Sequence, residues 1–199
     1  MDRTYNRQIN SKNEYSIDME DLKKLNIEFK NYLGEISSQL TEDLIHLLKG
    51  ESVTYLNENT KADVKAFYFE YEYDYLNIIS WGVDATGRMA SNKIFLPAKK
   101  NQTTEGNSEW TALIPEKIWT AAAEFQDGYE DDDLDEILEE YDEEKYLLFE
   151  QWFFDCWKKA SAQTMVKIDA YFSIHDSYFR TDLNTLKIIN EDEIAQRQY

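Results

Sequence analysis

Between Asp127 and Glu144, 12 of the 18 residues are acidic and none is Lys or Arg, yet an apolar stripe runs through the block. Leu134, Leu138, Tyr141, Leu148, Trp152 and Cys156 recur at the spacing of one helical face. Disordered acidic tails lack such a stripe, because they have too little apolar surface to offset the entropy of folding. The segment must therefore hold its carboxylates on the outside of a helix whose other side is buried. The pattern predicts a helix from about Asp133 to Ala160, with carboxylates near its N-terminus and Lys158 and Lys159 near its C-terminus, both favourable to the helix dipole.

A second apolar face is traced by Leu22, Leu25, Phe29, Leu33, Ile36, Leu40, Leu44 and Leu47, read as one long helix or as two broken near Gly34. Lys49 and Gly50 mark its stop. The period then changes to two. Phe67, Phe69, Tyr71 and Tyr73 alternate with Tyr68, Glu70, Glu72 and Asp74, which predicts a half-buried strand with one apolar and one acidic face. Leu76 to Asp84 follows as a second strand, joined to the first by a turn around Asp74 and Tyr75. Lys93 to Leu96 reads as a short strand stopped by Pro97, and Pro115 opens a helix carrying Ile118, Trp119, Ala122 and Phe125. Near the end, Val166, Ile168, Ala170, Phe172 and Ile174 alternate with polar residues, Leu186 to Ile189 suggests a last strand, and Glu191 to Gln196 a terminal turn.

These elements predict an α+β fold. Residues 1–16 are expected to be a polar, frayed N-terminus and residues 17–199 a single domain. In it, an antiparallel sheet built from Ala66 to Asp84 and Met165 to Ile174 packs against several helices.

Charge narrows the function. The chain carries 40 acidic against 21 basic residues, a net charge of −19, of which −12 lies in the acidic block. Nucleic acid and anionic membrane surfaces bind through clustered Lys and Arg, so neither is an expected partner, whereas a basic protein is. With no apolar signal region and no long apolar run, the expected compartment is the cytoplasm, which suits a chain whose lone cysteine, Cys156, has no partner for a disulfide.

Catalytic signals are missing. Cys156 lies in the apolar stripe beside Trp152, Phe153 and Trp157, a setting for a small buried hydrophobe rather than a nucleophile. His46 has no second ligand one turn on, and His175-Asp176 ends a strand, so neither suggests a metal ligand. Gly82 and Gly87 lack the spacing of a phosphate loop, and the acidic block lacks the glycine and closing glutamate of a calcium loop. No enzyme, cofactor or metal site is expected from these residues.

What stands out is acid beside aromatic. Tyr68 shares the acidic strand face with Glu70 and Glu72, while Tyr141 lies among Asp131, Asp132, Asp133, Glu139 and Asp142. Carboxylates pair with Lys and Arg of a partner and rings supply contact area, so these nine residues are the candidate partner-binding set. For each tyrosine the competing reading is burial in the core, and for the acidic block it is a solvated face that keeps the chain soluble.

The aromatic hairpin (Phe67 to Tyr73, then Ile78 to Asp84), the helical segment Trp152-Phe153-Phe154-Asp155-Cys156-Trp157 and the late strand Phe172 to Asp176 give the chain a family likeness. From Leu22 to Ile189 it resembles, in architecture, the immunity proteins of bacterial polymorphic toxin systems. The resemblance implies a cytoplasmic inhibitor that binds a cognate toxin domain, often a basic nuclease, and blocks its active site. It transfers no binding residue by motif. Two other readings stay open: a hydrolase using carboxylates in a cleft, and an interaction adaptor without a toxin.

Overall fold

The computed structural model describes residues 11–98, 110–127 and 133–197. Helix α1 runs as one helix, Ser11–Lys49, starting inside the segment expected to be frayed and continuing through Gly34. Its buried stripe of Leu22, Phe29, Leu33, Leu40, Leu44 and Leu47 extends on both sides of that glycine. At its end Gly50 takes a positive φ of 76°, and the amides of Gly50 and Glu51 donate to the carbonyls of Leu47 and His46, which closes the last turn.

A 3₁₀ turn, Lys61–Asp63, leads into β1 (Ala66–Tyr71) and β2 (Ile78–Val83), followed by β3 (Ile94–Leu96). Helices α2 (Glu116–Asp127) and α3 (Asp133–Thr164) come next, then β4 (Asp169–Ile174), β5 (Phe179–Asp182), β6 (Lys187–Asn190) and the short helix α4 (Glu191–Gln196). The strands form one sheet in the order β3-β2-β1-β4-β5-β6. The fold is α+β as expected. Four of its five strand pairings are antiparallel, while β1 and β4 pair in parallel, Ala66 opposite Asp169 and Tyr71 opposite Ile174. The parallel join arises because the chain returns from β3 through α2 and α3 to the end of the sheet where β1 began.

Helices α1 and α3 cover one sheet face. They lie parallel, since Asn26 Nδ2 meets the Tyr141 carbonyl (3.2 Å) while Ser37, further along α1, meets Trp152 Nε1 (3.0 Å) and the Cys156 thiol further along α3. Beneath them Phe153 stacks on Phe172 at 4.2 Å between ring centres, Phe69 packs on Phe153 and Trp157, and Tyr71 on Phe149. Each such ring pair adds roughly 0.5–1.5 kcal/mol beyond the area it buries.

The other sheet face is not the solvated acidic face that alternation suggested. A second cluster of Ala66, Val83, Tyr171, Ile189 and Ile194 occupies it, with Ile194 supplied by α4 and with Tyr68 and Trp81 packed alongside. Among the described residues, no helix is long and apolar enough to cross a membrane.

Candidate acidic and aromatic binding surface

The first turns of α3 pack on α1 before the helix reaches the sheet. Asn26 bridges the two helices, donating to the Tyr141 carbonyl and to Glu144. Side chains at the stripe positions face α1, which leaves Asp135, Glu136, Glu139, Glu140, Glu143 and Glu144 exposed. No salt bridge among the described residues engages these six. Asp142 is the exception in this stretch: it pairs with Lys145, whose ammonium also lies over the rings of Tyr141 and Tyr146. Asp135 and Glu136 lie in the first turn of α3, where the helix dipole favours negative charge, and all six carboxylates remain available to a cation from outside.

The connection between β1 and β2 sits against this helix. Tyr146 packs on Tyr73 at 4.8 Å and donates its hydroxyl to the Tyr73 carbonyl at 3.3 Å, while burial holds that hydroxyl's pKa far above its usual range. Tyr75 meets Trp110 and Trp119 at about 6 Å, and its carbonyl accepts from the amides of Leu113 and Ile114. Anchored on both sides, the connection holds Tyr73 and Tyr75 52% and 42% exposed, next to the exposed carboxylates of Glu72 and Asp74. Rigid, half-exposed rings ringed by carboxylates suit a basic protein surface, because the rings add contact area at little entropic cost.

The sequence-predicted residues divide around this surface. Glu72, Glu139 and Asp142 lie on it; Asp133 is the first residue of α3, and Asp131 and Asp132 fall outside the described residues. Tyr141 does not belong to it as a contact: it is 5% exposed, packed between α1 and α3, with a buried hydroxyl that has no hydrogen-bond partner among the described residues. Burial accordingly raises its pKa strongly. The helical stripe that carries Tyr141 offered burial as the competing reading, and its 5% exposure agrees with burial.

Tyr68 and Glu70 need a larger correction, since they face the second cluster rather than solvent. Glu70 is 8% exposed and accepts from Arg180 Nη2 at 2.7 Å and from His175 Nδ1 at 2.8 Å. Arg180, 6% exposed, also reaches Ser173 Oγ and Glu191. Tyr68 is sandwiched: Arg180 lies over its ring at 5.0 Å, Trp81 stacks on it at 5.7 Å, and Lys93 lies over Trp81 at 5.2 Å. Burial pushes the Tyr68 hydroxyl up to about 12. In this ladder of cation, ring, ring and cation Arg180 is buried, Tyr68 and Trp81 are half-buried and Lys93 is exposed. The sequence alone did not mark Tyr73, Tyr75 and Arg180 as organising residues; the turn placed at Asp74 and Tyr75 was the signal for the first two, and a single arginine between Phe179 and Thr181 gave none for the third.

No three His, Cys, Asp or Glu side chains among the described residues are gathered as a metal site would require. Cys156 is 1% exposed and donates weakly to the Ser37 carbonyl, and burial pushes its thiol pKa up, opposite to what a nucleophile needs. Comparison of the chain with protein-family models, curated proteins and solved structures returned no match.

Proposed function

We propose that the chain is a cytoplasmic binding protein that neutralises a basic partner, in the first instance a nuclease-type toxin domain, by stoichiometric association rather than by catalysis. One observation carries this reading: six carboxylates on the first half of α3 are exposed without a cationic partner among the described residues, and Tyr73 and Tyr75 are held half-exposed on the connection that packs against the same helix. The carboxylates supply long-range attraction and orientation, and the rings supply the desolvated contacts on which affinity depends. A toxin active site that binds nucleic acid presents Lys and Arg for the phosphates, so an acidic surface covers it by charge complementarity.

The test is co-expression with the toxin domain encoded beside this chain's gene, followed by co-purification and stopped-flow association over a salt series. The expected result is a one-to-one complex whose association slows steeply with salt while dissociation changes little. Replacing Glu139, Glu140 and Glu143 together by Lys should slow association at least tenfold. No complex, or an association rate indifferent to salt, overturns the proposal.

A further inference from the structure

The opposite end of the molecule has a different character. Helices α1 and α3, being parallel, both end there, and between their ends and the starts of β1 and β4 lies an open cavity of about 760 Å³. Its floor is apolar, made by Leu47, Leu48, Val64, Phe67, Val166 and Ile168, and its rim carries Lys61, Lys65 and Lys167 against one carboxylate, Asp169. We propose that this cavity binds a small amphipathic anion, a medium-chain acyl carboxylate being the simplest member of the class, with its tail on the apolar floor and its head group at Lys65 and Lys167.

The lysines do more than complement the helix ends. Two helix C-termini bring partial negative charge to this end, and Lys61 Nζ answers one by donating to the Lys49 carbonyl at 2.8 Å. Lys65 and Lys167 belong to neither helix. Lys65 immediately precedes β1 and Lys167 lies two residues before β4, and the parallel register of Ala66 with Asp169 brings both to the same end of the sheet. Lys65 spends one donor on the Ala62 carbonyl, and among the described residues no hydrogen bond or ion pair engages the Lys167 ammonium; each ammonium has three donors, so both retain capacity for an anionic head. Asp169 is occupied in part by the Tyr171 hydroxyl at 3.2 Å. The volume lies within the roughly 300–1,000 Å³ of small-molecule sites, which are commonly apolar with a few polar groups fixing orientation. On a chain of net charge −19, an anion needs such a local excess of cations to approach at all.

The experiment is calorimetric titration of the full chain with decanoate below its micelle concentration, with hexanoate, decanol and inorganic phosphate as separate arms. One decanoate per chain is expected, with hexanoate, decanol and phosphate each binding at least tenfold more weakly. The Lys65→Gln/Lys167→Gln variant should lose at least tenfold for decanoate, and exposed Lys167→Gln alone should weaken it while the thermal transition is unchanged. No saturable binding overturns the proposal. So does decanol or phosphate binding as tightly as decanoate, or affinity unaltered in a folded lysine variant.

Discussion

Arg180 Nη2 lies 2.7 Å from Glu70 Oε1, joining β5 to β1 across the intervening strand β4 with both residues buried. Removing one member leaves the other charge buried with only a more exposed partner, His175 for Glu70 and Glu191 for Arg180, and breaking a buried pair typically costs about 3–5 kcal/mol, whereas removing both in favour of apolar groups is far milder. Arg180→Leu should therefore destabilise the fold by roughly that amount, and Glu70→Leu/Arg180→Leu by clearly less than the sum of the two single changes. Urea unfolding of the four proteins measures the coupling.

His175 reports on the same cluster. Its hydrogen bond to Glu70 raises its pKa, with the nearby Asp176 acting in the same direction, although the ring is largely exposed. A group whose folded pKa is raised contributes stability that is fully present below its unfolded value, near 6.5, and that is lost as the pH rises through the folded pKa. NMR titration of the imidazole should thus give a midpoint above 6.5, and Glu70→Gln should bring it down. Because the ring is exposed, the associated change in stability should be small.

Gly34 within α1 and Gly50 just beyond its end should respond in opposite senses. A Cβ on Gly34 would meet nothing within 4 Å, and the residue lies inside a helix, so Gly34→Ala should stabilise by about 0.5–1 kcal/mol. Gly50 has φ +76°, and a Cβ there would come within 2.6 Å of the Tyr55 hydroxyl oxygen, so Gly50→Ala should destabilise by about 1–2 kcal/mol. Thermal denaturation of both variants gives the signs directly.

Three tyrosines separate stability from binding. The Tyr141 hydroxyl is buried without a partner among the described residues, so Tyr141→Phe should be neutral or stabilising by up to about 1 kcal/mol and should leave partner affinity unchanged. Tyr73→Ala and Tyr75→Ala remove the half-exposed rings beside Glu72 and Asp74, and at least one should cost about 2 kcal/mol of binding. A Tyr141→Phe variant that loses affinity with its stability intact would relocate the contact onto α3.

Where one side chain period governs burial, the sequence was readable. Leu22 to Leu47 gave α1 and Tyr141, Trp152 and Cys156 gave the face of α3 that meets α1, although α3 buries a second face, Phe149, Phe153 and Trp157, on the sheet; Phe67, Phe69 and Tyr71 gave the core face of β1. Period two says that Tyr68 and Glu70 share a face; it does not say whether water or α4 and Arg180 lie over that face. Strand β5 escaped notice because its inward residues are Arg180 and Asp182, paired with Glu70 and Arg197 from distant parts of the chain. Tyr73 was expected on the buried face, but β1 ends at Tyr71 and the chain turns outward before reaching it.

The parallel join of β1 to β4 sets the order in which the molecule can be finished during synthesis. Ala66 finds its neighbour only when Asp169 has been made, so the central pairing has a high contact order and is expected to close late. At roughly 5–20 residues per second, the ribosome leaves the β4-facing edge of β1 without its partner for about 5–20 seconds. During that interval Phe67, Phe69 and Tyr71 stand on an open strand edge, the arrangement most prone to pairing with another nascent chain. Asp127 to Glu144 is translated within the same interval, so most of the chain's negative charge arrives while that edge is still open, and mutual repulsion between nascent chains guards it until β4 arrives.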